Sequence, residues 1–304
     1  IAAAMRDTGF KCIAVTSGLD GVRDTEAQLR ETEDLLTRYH KPDDNFTLNL
    51  GHHAEYTASD ALLRGIAALA KKYKAPVHHH LCETRAETDE CVARTGLTPP
   101  ARAEAFGLYE YGGTGYHCVH VSDGDVEIFK RHGVSVVTNP CSNLKLASGI
   151  APLQKYADAG IPFALGTDGA ASNNALDMFR EAYLASVLQK YSRLRPESTG
   201  AHAVLHAAFS VGADIQGIEA HGIAAGQIAD FCVLDLESPN LRPFNDITAG
   251  IVFSADPGNV RMTVVNGKIL YHKGAYFTGE TPEKVYAMCE KITARIKSAL
   301  KKAH

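Results

Sequence analysis

Side chains that can bind a metal or move a proton follow several short apolar runs of this sequence. Such side chains occur at His52 and His53, at His80 and Glu83, at His117 and His120, and at Asp168. Amide and hydroxyl side chains accompany them at Asn139, Ser142 and Asn143. Imidazole and carboxylate groups are ordinary ligands of zinc and similar divalent ions, and a nearby carboxylate can act as a base. The pattern therefore indicates metal-assisted hydrolysis.

Each of these positions also has a simpler interpretation. In the run HHHLCET, alternation along a strand turns His78 and His80 to one face and His79 to the other, which also suits a solvated strand end with a hydrogen-bonded core histidine. Asp168 precedes a glycine, and Asp-Gly is a common turn. Glu83, three residues after His80, could transfer a proton. Its simpler interpretation is a carboxylate at the start of a helix, where the helix dipole favours negative charge.

Other motifs carry less information. His117 and His120 form a second candidate pair, for a metal or for developing negative charge, although one of two histidines three residues apart must leave the shared face of a strand. His202 and His206 are spaced like ligands on a helix but lack the glutamate of a zincin motif, which favours a structural role. The sequence contains no Gly-x-Ser-x-Gly elbow, so nucleophilic serine chemistry has little support.

The elements that must position these residues alternate between strand and helix up to about residue 215. Six strands are predicted, at 12–17, 46–52, 76–81, 115–121, 134–139 and 162–167. Helices are predicted at 24–40, 59–73, 175–193 and 200–213. This alternation is typical of βα units and a parallel sheet. In a (β/α) barrel the carboxyl ends of the strands meet at one mouth, so we expect the histidine, carboxylate and amide side chains of five successive strands to converge there.

The pattern changes after residue 215. Strands are predicted at 230–236, at 250–255 and within 260–277, where Asn266-Gly267 indicates a hairpin, and a final helix is predicted at 282–302. We therefore expect a barrel domain at 1–215 and a β module with its helix at 216–304.

Composition excludes several classes of protein. Among 304 residues, 31 basic and 35 acidic side chains give a net charge of −4, so neither nucleic acid nor an anionic membrane is an expected partner. Apolar runs stay short of the roughly 20 residues of a membrane span. Seven cysteines without a Cys-x-x-Cys pair, and no visible leader, favour reduced thiols and a cytoplasmic location. The sequence starts without Met, inside a helix that Gly9 ends, so we expect that a preceding segment is missing.

Six segments together resemble the amidohydrolase superfamily, in particular its 5′-methylthioadenosine/S-adenosylhomocysteine deaminase group, with chlorohydrolases and guanine deaminase as relatives. They are GHHAEYT at 51–57, HHHLCET at 78–84, YHCVH at 116–120, NPCSNLKLASGIAPL at 139–153, GTDGAASNNALDMF at 166–179 and IAAGQIADFCVLDL at 223–236. The resemblance covers essentially the whole chain. It implies an α/β fold, a (β/α)8 TIM-type barrel, with a small C-terminal β-sandwich module.

The resemblance also implies roles for five of the polar residues at the strand ends: His53, His80, Glu83, His117 and Asp168. His80 and Asp168 would be ligands of Zn²⁺, for which Fe²⁺ or Mn²⁺ is an alternative. Glu83, His117 and Asp168 would be catalytic, with Asp168 as base and Glu83 as proton shuttle to the purine ring. His53, Glu83 and His117 would contact the small-molecule nucleoside substrate. The implied reaction is hydrolysis of the adenine amine to ammonia and a hypoxanthine product.

One departure from the family limits these expectations. The six strands match the family's third to eighth, so the first two strands, with their His-x-His ligands, are absent. We therefore expect weak metal binding, and little or no turnover unless the missing segment is supplied. We also expect open sheet edges that favour association into a homo-oligomer. Two alternatives stay open: a related chlorohydrolase or aminohydrolase of triazines or guanine, and a catalytically silent purine-binding fragment.

Overall fold

The computed structural model describes residues 1–21, 24–40, 46–218, 222–243 and 245–303. Its larger sheet contains six strands, whose order in the sheet is their order in the chain, and each neighbouring pair is parallel. They are β1 (Cys12–Val15), β2 (Phe46–Ala54), β3 (Val77–Leu81), β4 (Gly113–His117), β5 (Val134–Thr138) and β6 (Phe163–Leu165). The six predicted strands of this sheet are confirmed.

Helices connect and cover these strands. They are α1 (Ala2–Thr8), α2 (Thr25–Tyr39), α3 (Asp60–Tyr73), α4 (Arg85–Thr95), α5 (Pro99–Ala105), α6 (Asp123–His132), α7 (Pro140–Lys145), α8 (Leu153–Asp158), α9 (Ala170–Asn173), α10 (Met178–Arg193), α11 (Ala201–His206) and α12 (Gly212–Ile215). A π-helical turn joins the last two. Within the described ranges, no helix has both the length and the apolar character needed to cross a membrane.

Local sequence explains where these helices begin and how they pack. Asp24 and Ser59 accept hydrogen bonds from the backbone at the start of α2 and α3, as N-cap side chains do. The apolar stripe of α3 is buried at Leu62, Leu63, Ile66, Leu69 and Ala70. β6 is buried at every residue because it lies between two layers, as strands of parallel sheets do.

The six-stranded sheet is open. In the part of the chain that the structure describes, β1 and β6 form its two edges and do not pair with each other. Closing a barrel requires that the first strand pair with the last. Six parallel strands in chain order, with two unpaired edges, are what a TIM-type barrel with six of its eight strands would show. The prediction is confirmed for the described residues.

A second, antiparallel sheet follows. It contains β7 (Phe231–Leu234), β8 (Val260–Val265), β9 (Lys268–His272) and β10 (Ala275–Tyr276), in the order β10-β9-β8-β7. The predicted hairpin is confirmed: Asn266 and Gly267 both have positive φ, 48° and 74°, as a type I′ turn requires. The final helix, α14 (Pro282–Ala303), is also confirmed. The domain boundary between residues 215 and 216 stays a prediction.

The prediction of a strand at 250–255 is wrong. This segment belongs to α13 (Ile247–Phe253), whose N-cap Asp246 accepts a hydrogen bond from the Ala249 amide at 3.1 Å. The helix buries Val252 and places the Phe253 ring 6.4 Å from that of Tyr183 on α10. In so short an apolar run, periodicity alone does not separate a buried strand from a short helix. Here the Asp246 N-cap favours the helix.

β2 passes very close to both of its neighbours at Gly51. The Gly51 amide donates to Thr16 Oγ1 at 2.8 Å, and the Thr16 hydroxyl donates to the Gly51 carbonyl oxygen at 2.9 Å. A Cβ atom at Gly51 would clash with the His78 carbonyl oxygen on one side and the Val15 side chain on the other. The path of β2 just before His53 therefore requires glycine.

We expect Gly51→Ala to lower the free energy of unfolding by about 1–3 kcal/mol, because the added methyl forces the strands apart. Urea denaturation of the purified chain measures this change. Gly124→Ala in α6 is the control, since a Cβ there would meet only Ser122 Oγ, at 3.7 Å. It should be neutral or slightly stabilising. Equal losses in the two variants would contradict the close-approach argument.

Candidate active site

A cavity of about 450 Å³ lies at the carboxyl ends of the parallel strands. His53 on β2, His80 on β3, His117 on β4 and Asp168 after β6 all line it. Glu83, just beyond β3, places its Oε2 atom 3.8 Å from Nε2 of His117. The structure therefore brings together the five site residues predicted from the sequence.

His80 is held in the tautomer of a metal ligand. Its Nδ1 atom lies 2.7 Å from the carbonyl oxygen of His53. A carbonyl oxygen only accepts hydrogen bonds, so Nδ1 carries the proton and Nε2 keeps its lone pair. Metal-binding histidines are commonly oriented by such a bond from the other ring nitrogen. The His80 ring also stacks on that of His117, with 5.5 Å between centroids.

His53 lines the cavity beside His80, with 5.0 Å between their ring centroids. Its Nδ1 atom lies 3.0 Å from Thr57 Oγ1, which fixes the orientation of the ring. Partial burial, and then the neighbouring His80, lower the pKa of His53 below its ordinary value. His53 is therefore neutral at pH 7 and can serve as a hydrogen-bonding group.

Asp168 presents a carboxylate that is ionised at neutral pH. Ser142 Oγ donates to its Oδ2 atom at 2.6 Å, and the Gly169 amide donates to Oδ1 at 2.7 Å. Burial raises the pKa of the Asp168 carboxyl, but these hydrogen bonds and the nearby His117 outweigh burial, and the net shift of the pKa is downward.

His117 is buried and is oriented by an amide. Its Nδ1 atom lies 2.7 Å from Asn143 Oδ1, an acceptor, so Nδ1 carries the proton. The Nε2 atom then faces the Glu83 carboxylate. The strand was predicted to continue to residue 121, but β4 ends at His117 because His117 and Cys118 have positive φ, 72° and 47°.

Glu83 is held from two sides. Ser148 Oγ donates to its Oε1 atom at 3.2 Å. The backbone amides of Cys82 and Glu83 both donate to the Glu87 carboxylate, at 3.0 and 2.7 Å. These bonds fix the turn after β3 and direct the Glu83 carboxylate toward His117.

The remaining histidines of β2 and β3 also border the cavity, and their rings contact neighbouring aromatic rings. His79 Nε2 lies 2.9 Å from the Tyr109 hydroxyl, and the His79 ring packs 4.6 Å from that of His52. Burial lowers the pKa of His52 to about 3 and that of His78 to about 4. These two imidazoles are neutral at pH 7, and the alternation expected along β3 separates His79 from His80.

The two other histidine pairs do not complete the site. His120 donates from Nε2 to the Ser148 carbonyl oxygen at 2.7 Å and so supports the segment that holds Glu83. His202 and His206 line a separate groove beside α11. Their favoured structural role is consistent with this position.

Two residues that support the site were not identified from the sequence. Ser148 donates to Glu83 across 65 positions, and no local signal predicts that contact. Glu181 is fully buried on α10 and accepts from the Cys141 amide at 2.9 Å. A carboxylate in a helical run has no sequence feature that separates a buried position from a solvated one.

The donor chemistry of the cavity fits a divalent metal in part. His80 offers an unprotonated nitrogen and Asp168 an ionised carboxylate, a combination that suits zinc, iron or manganese. Among the described residues, however, no group of three or more His, Cys, Asp or Glu side chains is arranged to hold one ion. The described chain therefore supplies two of about four ligands of a tight site.

Sequence comparison finds relatives that are named as deaminases of adenine nucleosides. The 5′-deoxyadenosine deaminase of Methanothermobacter thermautotrophicus is 36% identical over 292 residues, which are 95% of this chain and 67% of that protein. The 5-methylthioadenosine/S-adenosylhomocysteine deaminase of Caldanaerobacter subterraneus is 35% identical and is matched over 96% of this chain and 68% of its own. This chain thus spans about two thirds of the length of these relatives.

Solved structures share the fold. An adenosine deaminase from Xanthomonas campestris with bound zinc has a TM-score of 0.92 at 28% identity, over 98% of this chain and 69% of that one. A zinc complex of atrazine chlorohydrolase from Arthrobacter aurescens has a TM-score of 0.85 at 22% identity, over 94% of this chain and 66% of that one. The second likeness concerns the fold alone.

The family assignment rests on the sequence itself. The sequence model described as "Amidohydrolase family" matches residues 1–270. That range includes all six strands of the parallel sheet and every residue of the cavity. This chain belongs to the amidohydrolase family.

Proposed function

We propose that this chain carries the catalytic site of a metal-dependent deaminase, which hydrolyses the amine of an adenine nucleoside and releases ammonia. The observation that carries the proposal is the convergence of His80, His117 and Asp168 on one cavity from three strand ends. The names of the relatives support 5′-methylthioadenosine, S-adenosylhomocysteine or adenosine as the substrate class. We assign the site to a barrel domain at residues 1–215, with the β module at 216–304.

His80 and Asp168 would hold the metal, through the free Nε2 atom and the carboxylate. Zinc is the metal we propose because the solved adenosine deaminase contains it, and Fe²⁺ or Mn²⁺ suits the same ligands. When bound, a divalent ion lowers the pKa of a coordinated water to about 7 and so makes a nucleophile available at neutral pH.

The carboxylates carry the proton transfers. Asp168 is ionised and accepts the proton of the attacking water as general base. Glu83 donates a proton to the ring nitrogen next to the carbon under attack, because its turn directs it into the site. The proton held by Asp168 would then pass to the amine, which leaves as ammonia. The proton of the added hydroxyl would return to Glu83 as the ring carbonyl forms, and a hypoxanthine nucleoside is the product. His117 and His53 contact the substrate from neighbouring strands.

A second candidate is a protein that binds the purine without turnover. The small donor set of the described residues favours it, since two ligands hold a metal weakly. Titration with 5′-methylthioadenosine separates the two candidates, because a binding protein saturates without releasing ammonia. Guanine and a chlorinated triazine in the same assay test the related hydrolase activities.

We expect Zn²⁺ to bind with micromolar or weaker affinity. Four-ligand zinc sites bind with about 10–16 kcal/mol, and half of that free energy corresponds to a roughly micromolar to submillimolar dissociation constant. Competition with a chromophoric chelator measures the affinity. His80→Ala should weaken it further, and His202→Ala should not, because His202 lies outside the cavity. Nanomolar binding, or equal effects of the two substitutions, would contradict the assigned ligands.

We expect Glu83→Gln and Asp168→Asn to lower kcat by about 10²–10⁴-fold, the range typical of general acid–base groups. Ammonia release from 5′-methylthioadenosine with excess Zn²⁺ is the measurement. Glu90→Gln and Asp89→Asn are matched controls, since both side chains are exposed on α4 and lose the same charge. The proposal fails if the two controls lose as much activity as Glu83→Gln and Asp168→Asn.

A further inference from the structure

Two short turns meet at the hydrogen bond between Ser142 and Asp168. Ser142 lies in α7, after β5, and Asp168 lies between β6 and α9. The helices have only six and four residues, so neither turn is stabilised by a long helix of its own. The position of the Asp168 carboxylate therefore depends on groups outside these turns.

Glu181 connects to both turns from the first part of α10. Its side chain is fully buried. Its Oε2 atom accepts from the Cys141 amide at 2.9 Å, directly before Ser142. Its Oε1 atom accepts from Asn173 Nδ2 at 2.6 Å, at the end of α9.

Asn173 extends the connection to the residue before Asp168. Its Nδ2 atom also donates to the Thr167 carbonyl oxygen at 2.6 Å, so both amide hydrogens are engaged. One buried carboxylate thus links the backbone beside Ser142 with the backbone beside Asp168. Both of its partners are N–H donors, so both of its oxygens must accept.

We propose that Glu181 is a positioning residue, which holds the two turns together and so sets the Ser142–Asp168 hydrogen bond. This inference rests on the proposed function of Asp168 as base. Glu181 does not line the cavity, so it acts through the two turns and not on the substrate. Glutamine at this position would direct its NH₂ group at one of the two donors and lose that bond.

Gln189 provides a matched control on the same helix. It is also buried, donates from Nε2 to the Ala151 carbonyl oxygen at 2.8 Å, and accepts from the Gln154 amide at 3.3 Å. It therefore makes two side-chain hydrogen bonds to residues 151–154 and none to either turn. Gln189→Ala removes as many bonds as Glu181→Ala.

Hydrogen exchange of the full chain tests the positioning without any requirement for activity. We expect Glu181→Ala to raise amide exchange at least tenfold in both 139–149 and 166–174, because two bonds to a charged acceptor are lost. Gln189→Ala should leave 166–174 at the wild-type rate. If Glu181→Ala leaves exchange in 166–174 unchanged, the proposal is overturned.

Turnover supplies the second readout. We expect Glu181→Ala to lower kcat by about 10²-fold with KM nearly unchanged, the effect of a misplaced catalytic group. Glu181→Gln, which keeps one bond and is less disruptive to folding, should lose about tenfold. A loss no larger than that of Gln189→Ala overturns the proposal. If the wild-type chain releases no ammonia, binding of the purine without turnover becomes the favoured function, and the exchange comparison still decides the positioning.

Discussion

One short segment, residues 139–148, holds the two proposed acid–base carboxylates, Asp168 and Glu83, and the proposed substrate contact His117. Three hydrogen bonds join them to it: Ser142 to Asp168, Asn143 to His117 and Ser148 to Glu83. Glu83 and Asp168 follow β3 and β6, and His117 ends β4, so this segment connects the ends of three different strands. A change in the path of the segment would move all three groups together.

The strand ends that carry these residues are held in uncommon backbone conformations. Positive φ values occur at Cys82, His117, Cys118 and Asp168, which are 51°, 72°, 47° and 58°. For a non-glycine residue, such a conformation costs about 1–3 kcal/mol. It is therefore held only where surrounding contacts stabilise it. The left-handed turns end β3 and β4 and direct the following residues across the mouth. The hydrogen bonds of residues 139–148 are therefore needed both to orient the side chains and to maintain the backbone that carries them.

The parts of the fold set by local chemistry were predictable. The alternation of apolar runs predicts the parallel strands, and Asn266-Gly267 predicts the hairpin, because each depends on residues close in sequence. The site residues were predictable for the same reason, since polar groups after apolar strands must lie at the barrel mouth. The contacts of Ser148 and Glu181 were not, because their partners lie 65 and 40 positions away in the chain. The helix at 247–253 was missed because its apolar run also suits a buried strand.

The many histidines of β2 and β3 are compatible with metal binding because several of them are neutral at pH 7. Burial keeps His52 and His78 neutral, with pKa values of about 3 and 4, and His53 also has a lowered pKa. Charged imidazoles at 5 Å spacing would repel a divalent cation, whereas neutral ones do not. Metal ligands must be deprotonated, and each proton displaced at neutral pH weakens binding. Asp168 is ionised at neutral pH, and the His53 carbonyl accepts from His80 Nδ1, so Nε2 is the His80 nitrogen left to bind a cation.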